Sequence, residues 1–96
     1  LDQAAAHARA GRLAQAASLY ARAEQADPLD FRAPMSLASI ALQRGRPAQA
    51  LPWLERVAAT RPDLFDAQHN LGAVAQTLGR WPQAAQAYER ALALRP

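Results

Sequence analysis

The chain has 96 residues, 51% of them apolar and 20% charged, with a formal net charge of +3 and no cysteine. This length fits one small domain or a piece of something larger, and a start at Leu1 reads as the second. No apolar run approaches the roughly 18 residues of a membrane span, no signal-peptide pattern opens the chain, and the lack of cysteine excludes disulfides, thiolate metal sites and cysteine nucleophiles.

In chain order, the composition and its punctuation predict helices near 1 to 10, 13 to 26, 31 to 44, 47 to 60, 65 to 78 and 81 to 94. Alanine supplies 26 residues and leucine 13, whereas the β-branched residues are only Ile40, Val57, Thr60, Val74 and Thr77. Gly11, Gly45 and Gly79 stand where a residue in the left-handed region would end a helix. Pro28, Pro62 and Pro96 close the alternate helices, because proline cannot continue one. Asp27, Asp30 and Asp63 offer acceptors to the helix that follows. Pro52 falls about one turn into the fourth helix, which predicts a bend or a delayed start there.

These marks recur every 34 residues: Pro28, Pro62 and Pro96, and Gly11, Gly45 and Gly79, each glycine followed by an arginine. Residues 29–62 laid over 63–96 without gaps share 13 identities, where composition alone gives roughly four. Each unit is predicted to be a helical hairpin, and the units run 1–28, truncated at its start, then 29–62 and 63–96. Ala38, Gly72, Ala16, Ala50 and Ala84 let helices approach closely, and Leu37, Leu54, Leu71, Tyr20 and Tyr88 are expected to fill the space between them.

The repeat resembles the tetratricopeptide (TPR) family, whose pattern runs W-x2-L-G-x2-Y, then A-x3-F, then P. Leu71-Gly72, Ala84, Tyr88 and Pro96 match it in the third unit. Leu37, Ala50 and Pro62 match in the second, and Ala16, Tyr20 and Pro28 in the first. The tryptophan slot instead holds Gln3, Pro34 and Gln68, and the tyrosine slot His7, Ala41 and Ala75; Trp53, Trp81 and Leu13 are candidates to supply the missing bulk. The resemblance implies an all-α fold, a right-handed solenoid of nearly three antiparallel helix hairpins.

Catalysis has little support. Phosphate loops, H-E-x-x-H and G-x-S-x-G are absent from the sequence. The best constellation, Ser36 with Asp66 and His69, would sit on mid-helix backbone whose N–H groups are already bonded and cannot form an oxyanion hole. His7 reads as a structural histidine. No catalytic residue, metal or cofactor is expected. All 11 basic residues are arginine, and Ile and Asn occur once each, a pattern that a GC-rich bacterial gene explains. The middle unit carries the whole +3, through Arg32, Arg44, Arg46, Arg56 and Arg61 against Asp30 and Glu55, spread over several faces. That spread argues against a nucleic-acid stripe.

The TPR resemblance implies a concave wall made by the first helix of each unit, gripping a peptide or partner protein. Columns spaced by 34 then give the candidate binding residues: Ser36 with Asn70, Met35 with His69, Gln43 with Thr77, and Arg32 with Asp66. In the first unit the same columns hold Leu1, Asp2 and Arg9. These mixed polar residues suit an extended backbone better than a buried helix. Carboxylate-clamp TPR domains use Lys and Asn at positions that here hold Leu1, Ala5, Ser36, Asp66 and Asn70, so only Asn70 fits. The asparagine ladder of O-GlcNAc transferases has one rung here, Asn70; the alternative reading is accordingly the substrate-recognition arm of a bacterial group transferase. Leu92 and Leu94 on an uncapped last helix predict self-association through a terminal helix. The compartment stays open between cytoplasm and periplasm.

Overall fold

The computed structural model describes residues 2–27 and 30–96, with side chains from residue 11 onward. It contains five helices, α1 (Asp2–Ala26), α2 (Arg32–Gln43), α3 (Pro47–Thr60), α4 (Phe65–Thr77) and α5 (Trp81–Leu94), and no strand among the described residues. α2 pairs with α3 and α4 with α5 as hairpins; α1 packs on α2, and α3 joins the two hairpins through α4. Contacts that are mainly between chain neighbours, over extents of 44 × 31 × 20 Å, are the mark of a solenoid.

The two complete hairpins turn alike. Gly45 and Gly79 have φ of 69° and 75°, a region that costs glycine nothing. After each, the arginine N–H reaches back across the turn, Arg46 to the Ala41 carbonyl and Arg80 to the Ala75 carbonyl, both at 2.8 Å. Gly45 and Gly79 donate at 3.0 Å to the carbonyls of Leu42 and Gln76. This pair of bonds is the Schellman closure, which satisfies carbonyls that a helix end would otherwise orphan. A proline in the first two positions of the next helix, Pro47 or Pro82, then restarts the chain.

The first unit departs from the expected hairpin. The helices predicted at 1 to 10 and 13 to 26 are one 25-residue helix, and Gly11 does not take positive φ. The residues just after the glycine explain the difference. Gly11-Arg12 leads into Leu13-Ala14, where the other units have proline at the matching place or one residue later, so nothing withholds an N–H and the alanine-rich helix runs on.

α3 starts at Pro47 despite Pro52, so the expected delay does not occur; Pro52 lies exposed inside the helix. Asp30 serves the start of α2 as expected: its Oδ1 accepts the Arg32 backbone N–H at 2.9 Å. Asp63 does not serve α4. Its carboxylate accepts instead from Arg61 Nε and Nη2 at 3.1 and 3.0 Å, which holds its carboxyl below the usual range. Asp27 contributes its carbonyl, accepting from Asp30 N–H at 3.2 Å.

The core follows the 34-residue register. Ala38, Ala50, Leu54, Leu71 and Ala87 are buried in one cluster, with Met35, Trp53 and Leu78 packed against it. Leu37, Ala84 and Gly72 are also buried, and Ala16 and Tyr88 are half-buried. Tyr20 is not the filler expected of it, since α1 has no hairpin partner and the ring stays exposed. Of the residues considered for the missing bulk, Trp53 and Leu13 are partly buried, whereas Trp81 is 63% exposed at the first position of α5. The slot itself is filled by Pro34 and Gln68, both buried; Gln68 Nε2 donates to the Pro62 carbonyl at 3.4 Å, and its Oε1 has no partner among the described residues. Gln3 and His7 lie outside the described side chains. Leu92 and Leu94 of α5 are exposed.

A second device recurs with the register. The Arg61 guanidinium lies 5.2 Å from the Phe31 ring centroid and the Arg95 guanidinium 4.3 Å from that of Phe65. Both partners are 34 residues apart, so in each unit a cation at the end of the second helix covers the aromatic residue at the start of the first.

The helix faces give a direct stability test. Ala84 is buried and Gln86 exposed on the same helix. Ala84→Leu is expected to cost about 1 kcal/mol or more by overpacking and Gln86→Leu to change little, measured by thermal denaturation. Equal shifts would contradict the assigned faces.

Candidate functional site

α2 and α4 both rest on α3, and the space between them is a cleft with two cavities. The first, of about 410 Å3, is floored by Ala38, Leu42 and Leu54 and edged by Met35, Ser39, Asp66 and Asn70. The second, of about 490 Å3, lies towards the helix starts, where Phe31, Arg32, Met35 and Ser36 of the α2 end face Leu64, Phe65 and Asp66 of the α4 end, with Leu94 and Arg95 of the chain's end beside them. Met35 and Asp66 line both cavities, so the two adjoin along the cleft.

Helical periodicity explains why these side chains line up. Met35, Ser39 and Leu42 stand at i, i+4 and i+7 on α2, a single stripe, and Asp66 and Asn70 are i, i+4 on α4. The stripe is apolar at its base, where α3 supplies Leu54, and polar at its edge.

The electrostatics are uneven. Arg32 is tied to Asp30: its Nε donates at 3.0 Å to each carboxylate oxygen and its Nη2 at 2.6 Å to Oδ2. The side-chain bond from Arg32, followed by the backbone bond from the same residue, holds the Asp30 carboxyl down to about 2. Arg95 is engaged over Phe65. Asp66 has no hydrogen bond or ion pair among the described residues and is exposed.

Of the residues expected on the concave wall, Arg32, Met35, Ser36, Asp66 and Asn70 line the cleft. Ser36 and Asn70, expected side by side, border different cavities that meet at Met35 and Asp66. Three others lie elsewhere. His69 is drawn aside by aromatic neighbours, stacked on Phe65 with centroids 5.6 Å apart and edge-on to Tyr88 at 5.8 Å. Gln43 Nε2 donates to Ser39 Oγ at 3.5 Å, and Thr77 Oγ1 donates back to the Ala73 carbonyl at 3.0 Å; neither lines a cavity of the cleft. Leu1, Asp2 and Arg9 lie outside the described side chains.

Ser39, Leu42 and Leu54 complete the cleft without having been singled out by sequence. Their signal was available for Ser39 and Leu42, one and two turns beyond Met35, but Leu54 comes from a different helix. Ser36, Asp66 and His69 do not assemble into a catalytic set, because His69 turns towards α5 while the other two line the cleft. No group of three or more His, Cys, Asp or Glu that could hold a metal occurs among the described residues. No described helix is long and apolar enough to cross a membrane.

Comparison with known proteins places the fold. The family model described as tetratricopeptide repeat matches residues 31–96. No curated protein matches the sequence significantly. Among solved structures, MamA MSR-1 is 27% identical with a TM-score of 0.76, the match covering 95% of this chain and 52% of that one. MamA AMB-1 is 27% identical with a TM-score of 0.81, over 95% of this chain and 50% of that one. The chain thus spans about half the length of the MamA structures it matches. The first TPR of Spaghetti (RPAP3), bound to the HSP90 peptide SRMEEVD, is 24% identical with a TM-score of 0.81, over 99% of this chain and 75% of that one.

Proposed function

The chain belongs to the tetratricopeptide repeat family, and on that premise we propose that it is a protein-interaction module whose cleft between α2 and α4 takes an extended segment of a partner protein. The single observation that carries this reading is that the two cavities adjoin at Met35 and Asp66, and together they offer more length than one side chain needs. An extended strand suits it because the edge offers Ser36, Ser39 and Asn70, short groups that can reach backbone N–H and C=O, over a narrow apolar floor. The Spaghetti (RPAP3) domain that shares this fold holds a peptide, which supports a peptide-sized occupant. The module itself performs no chemistry in this reading, and the transferase-arm alternative has no supporting observation.

Asn70 is the first choice for a backbone contact, since its amide both donates and accepts. Asn70→Ala is expected to weaken partner binding by about 1 kcal/mol, roughly fivefold, with helicity unchanged in circular dichroism. Ser36→Ala is expected to act in the same direction, and Glu89→Ala, on an exposed face of α5, to have no effect. The test is binding of the protein's partner to the three variants. Loss of binding in Glu89→Ala with both cleft variants intact would move the site to the outer surface.

A further inference from the structure

We propose that the cleft selects a basic peptide: a lysine or arginine side chain whose cation pairs with Asp66 and whose methylene stem lies over Met35, Leu42 and Leu54. This deepens the peptide-binding reading above and rests on it.

The cleft holds a carboxylate without an ion pair at the edge of a shaped cavity. Asp66 is the one charged residue lining the 410 Å3 cavity, and it has no partner among the described residues. The cations at the neighbouring cavity are engaged, Arg32 by the Asp30 carboxylate and Arg95 over the Phe65 ring. Asp66 borders that second cavity as well, and with both arginines so occupied its exposed carboxylate stands beside the apolar floor without an ion pair among the described residues.

A lysine or arginine fits both demands at once, because its stem is apolar and its tip is cationic. The tip carries more donors than one carboxylate uses, and Asn70 Oδ1 is a second acceptor on the same edge. A purely apolar side chain of equal length would cover the floor and leave the carboxylate unpaired. An acidic one would be repelled. The cavity lies near the small end of the range for ligand pockets, roughly 300 to 1,000 Å3, the size for one long side chain with its backbone. Asp66 also lies in the first turn of α4, where a carboxylate favours the helix whether or not a ligand is bound, so the test must read selectivity and not stability.

The experiment is an amide chemical-shift titration of the 96-residue chain with five capped peptides, Ac-Gly-Ala-X-Ala-Gly-NH2, where X is lysine, arginine, norleucine, acetyl-lysine or glutamate. The lysine and arginine peptides are expected to shift the amides of Met35, Ser39 and Asn70 and to bind about two- to fivefold more tightly than the norleucine and acetyl-lysine peptides, with glutamate weakest. That preference should shrink as salt rises to about 0.5 M, disappear in Asp66→Asn and return in Asp66→Glu. Equal binding of lysine and norleucine peptides at the same amides would overturn the basic selectivity and leave the cleft standing as a peptide site. Failure of every peptide to shift those amides, or shifts confined to the outer faces of α3 and α5, would overturn both.

Discussion

Gly72→Ala is expected to destabilise the chain by about 2 kcal/mol, although alanine is the better helix former by about 1 kcal/mol. A Cβ built at Gly72 would lie 2.9 Å from Tyr88 Cδ1 and 3.0 Å from both Cε1 and Cγ, closer than carbon atoms approach without something moving. Tyr88 has little room to retreat, because its hydroxyl donates to Gln76 Oε1 at 3.2 Å and its ring meets His69. Overpacking of this kind costs about 1 to 3 kcal/mol, with tight rigid sites at the upper end. The preceding unit solves the same contact differently, with Ala38 where Gly72 stands and Leu54 in place of Tyr88, both buried. In a Tyr88→Leu background, Gly72→Ala should accordingly become neutral or stabilising. A double-mutant cycle by urea denaturation measures this coupling, and equal effects of Gly72→Ala in both backgrounds would contradict the contact.

The largest loss is expected from Arg56→Met, about 3 kcal/mol. Arg56 Nη2 pairs with Glu24 Oε1, joining α3 to α1, with the Glu24 side chain 8% exposed and that of Arg56 40% exposed. Glu24 is the one buried residue among the described side chains of α1, and its Oε2 already has no hydrogen-bond partner among the described residues. Removing the cation leaves a buried carboxylate uncompensated, which is far costlier than losing the pair as a whole. Glu24→Met combined with Arg56→Met should therefore recover most of the loss. Hydrogen exchange adds a second readout: the single variant should lose protection in α1 while α4 and α5 keep theirs. A single variant as stable as the double would show that Glu24 is not held as described.

The register of 34 made α2 to α5 legible, with boundaries within a residue of those expected, because glycine and proline mark each turn in the same order. It failed at Gly11, where the glycine is present and the following proline is not. A glycine permits a left-handed turn and does not compel one; the proline removes the alternative. The cleft was legible in the same measure. Met35, Asp66 and Asn70 follow from the columns spaced by 34, whereas the departure of His69 depends on Phe65 one turn before it and on Tyr88 from the next helix. The Glu24 to Arg56 pair was hidden for a related reason: it spans helices that are not neighbours in the chain, and Glu24 stands outside the shared pattern of 34, whose matching positions hold Ala58 and Leu92.

The most direct test of the cleft as the binding surface is site-specific photo-crosslinking in cells that produce the protein. A photoreactive benzoylphenylalanine would replace Ser39, on the cleft edge, or Glu89, on the exposed face of α5, in otherwise identical proteins. A crosslinked partner is expected from position 39, lost on competition with an excess of the lysine peptide, and none from position 89. A crosslink from position 89 with none from position 39 would contradict it.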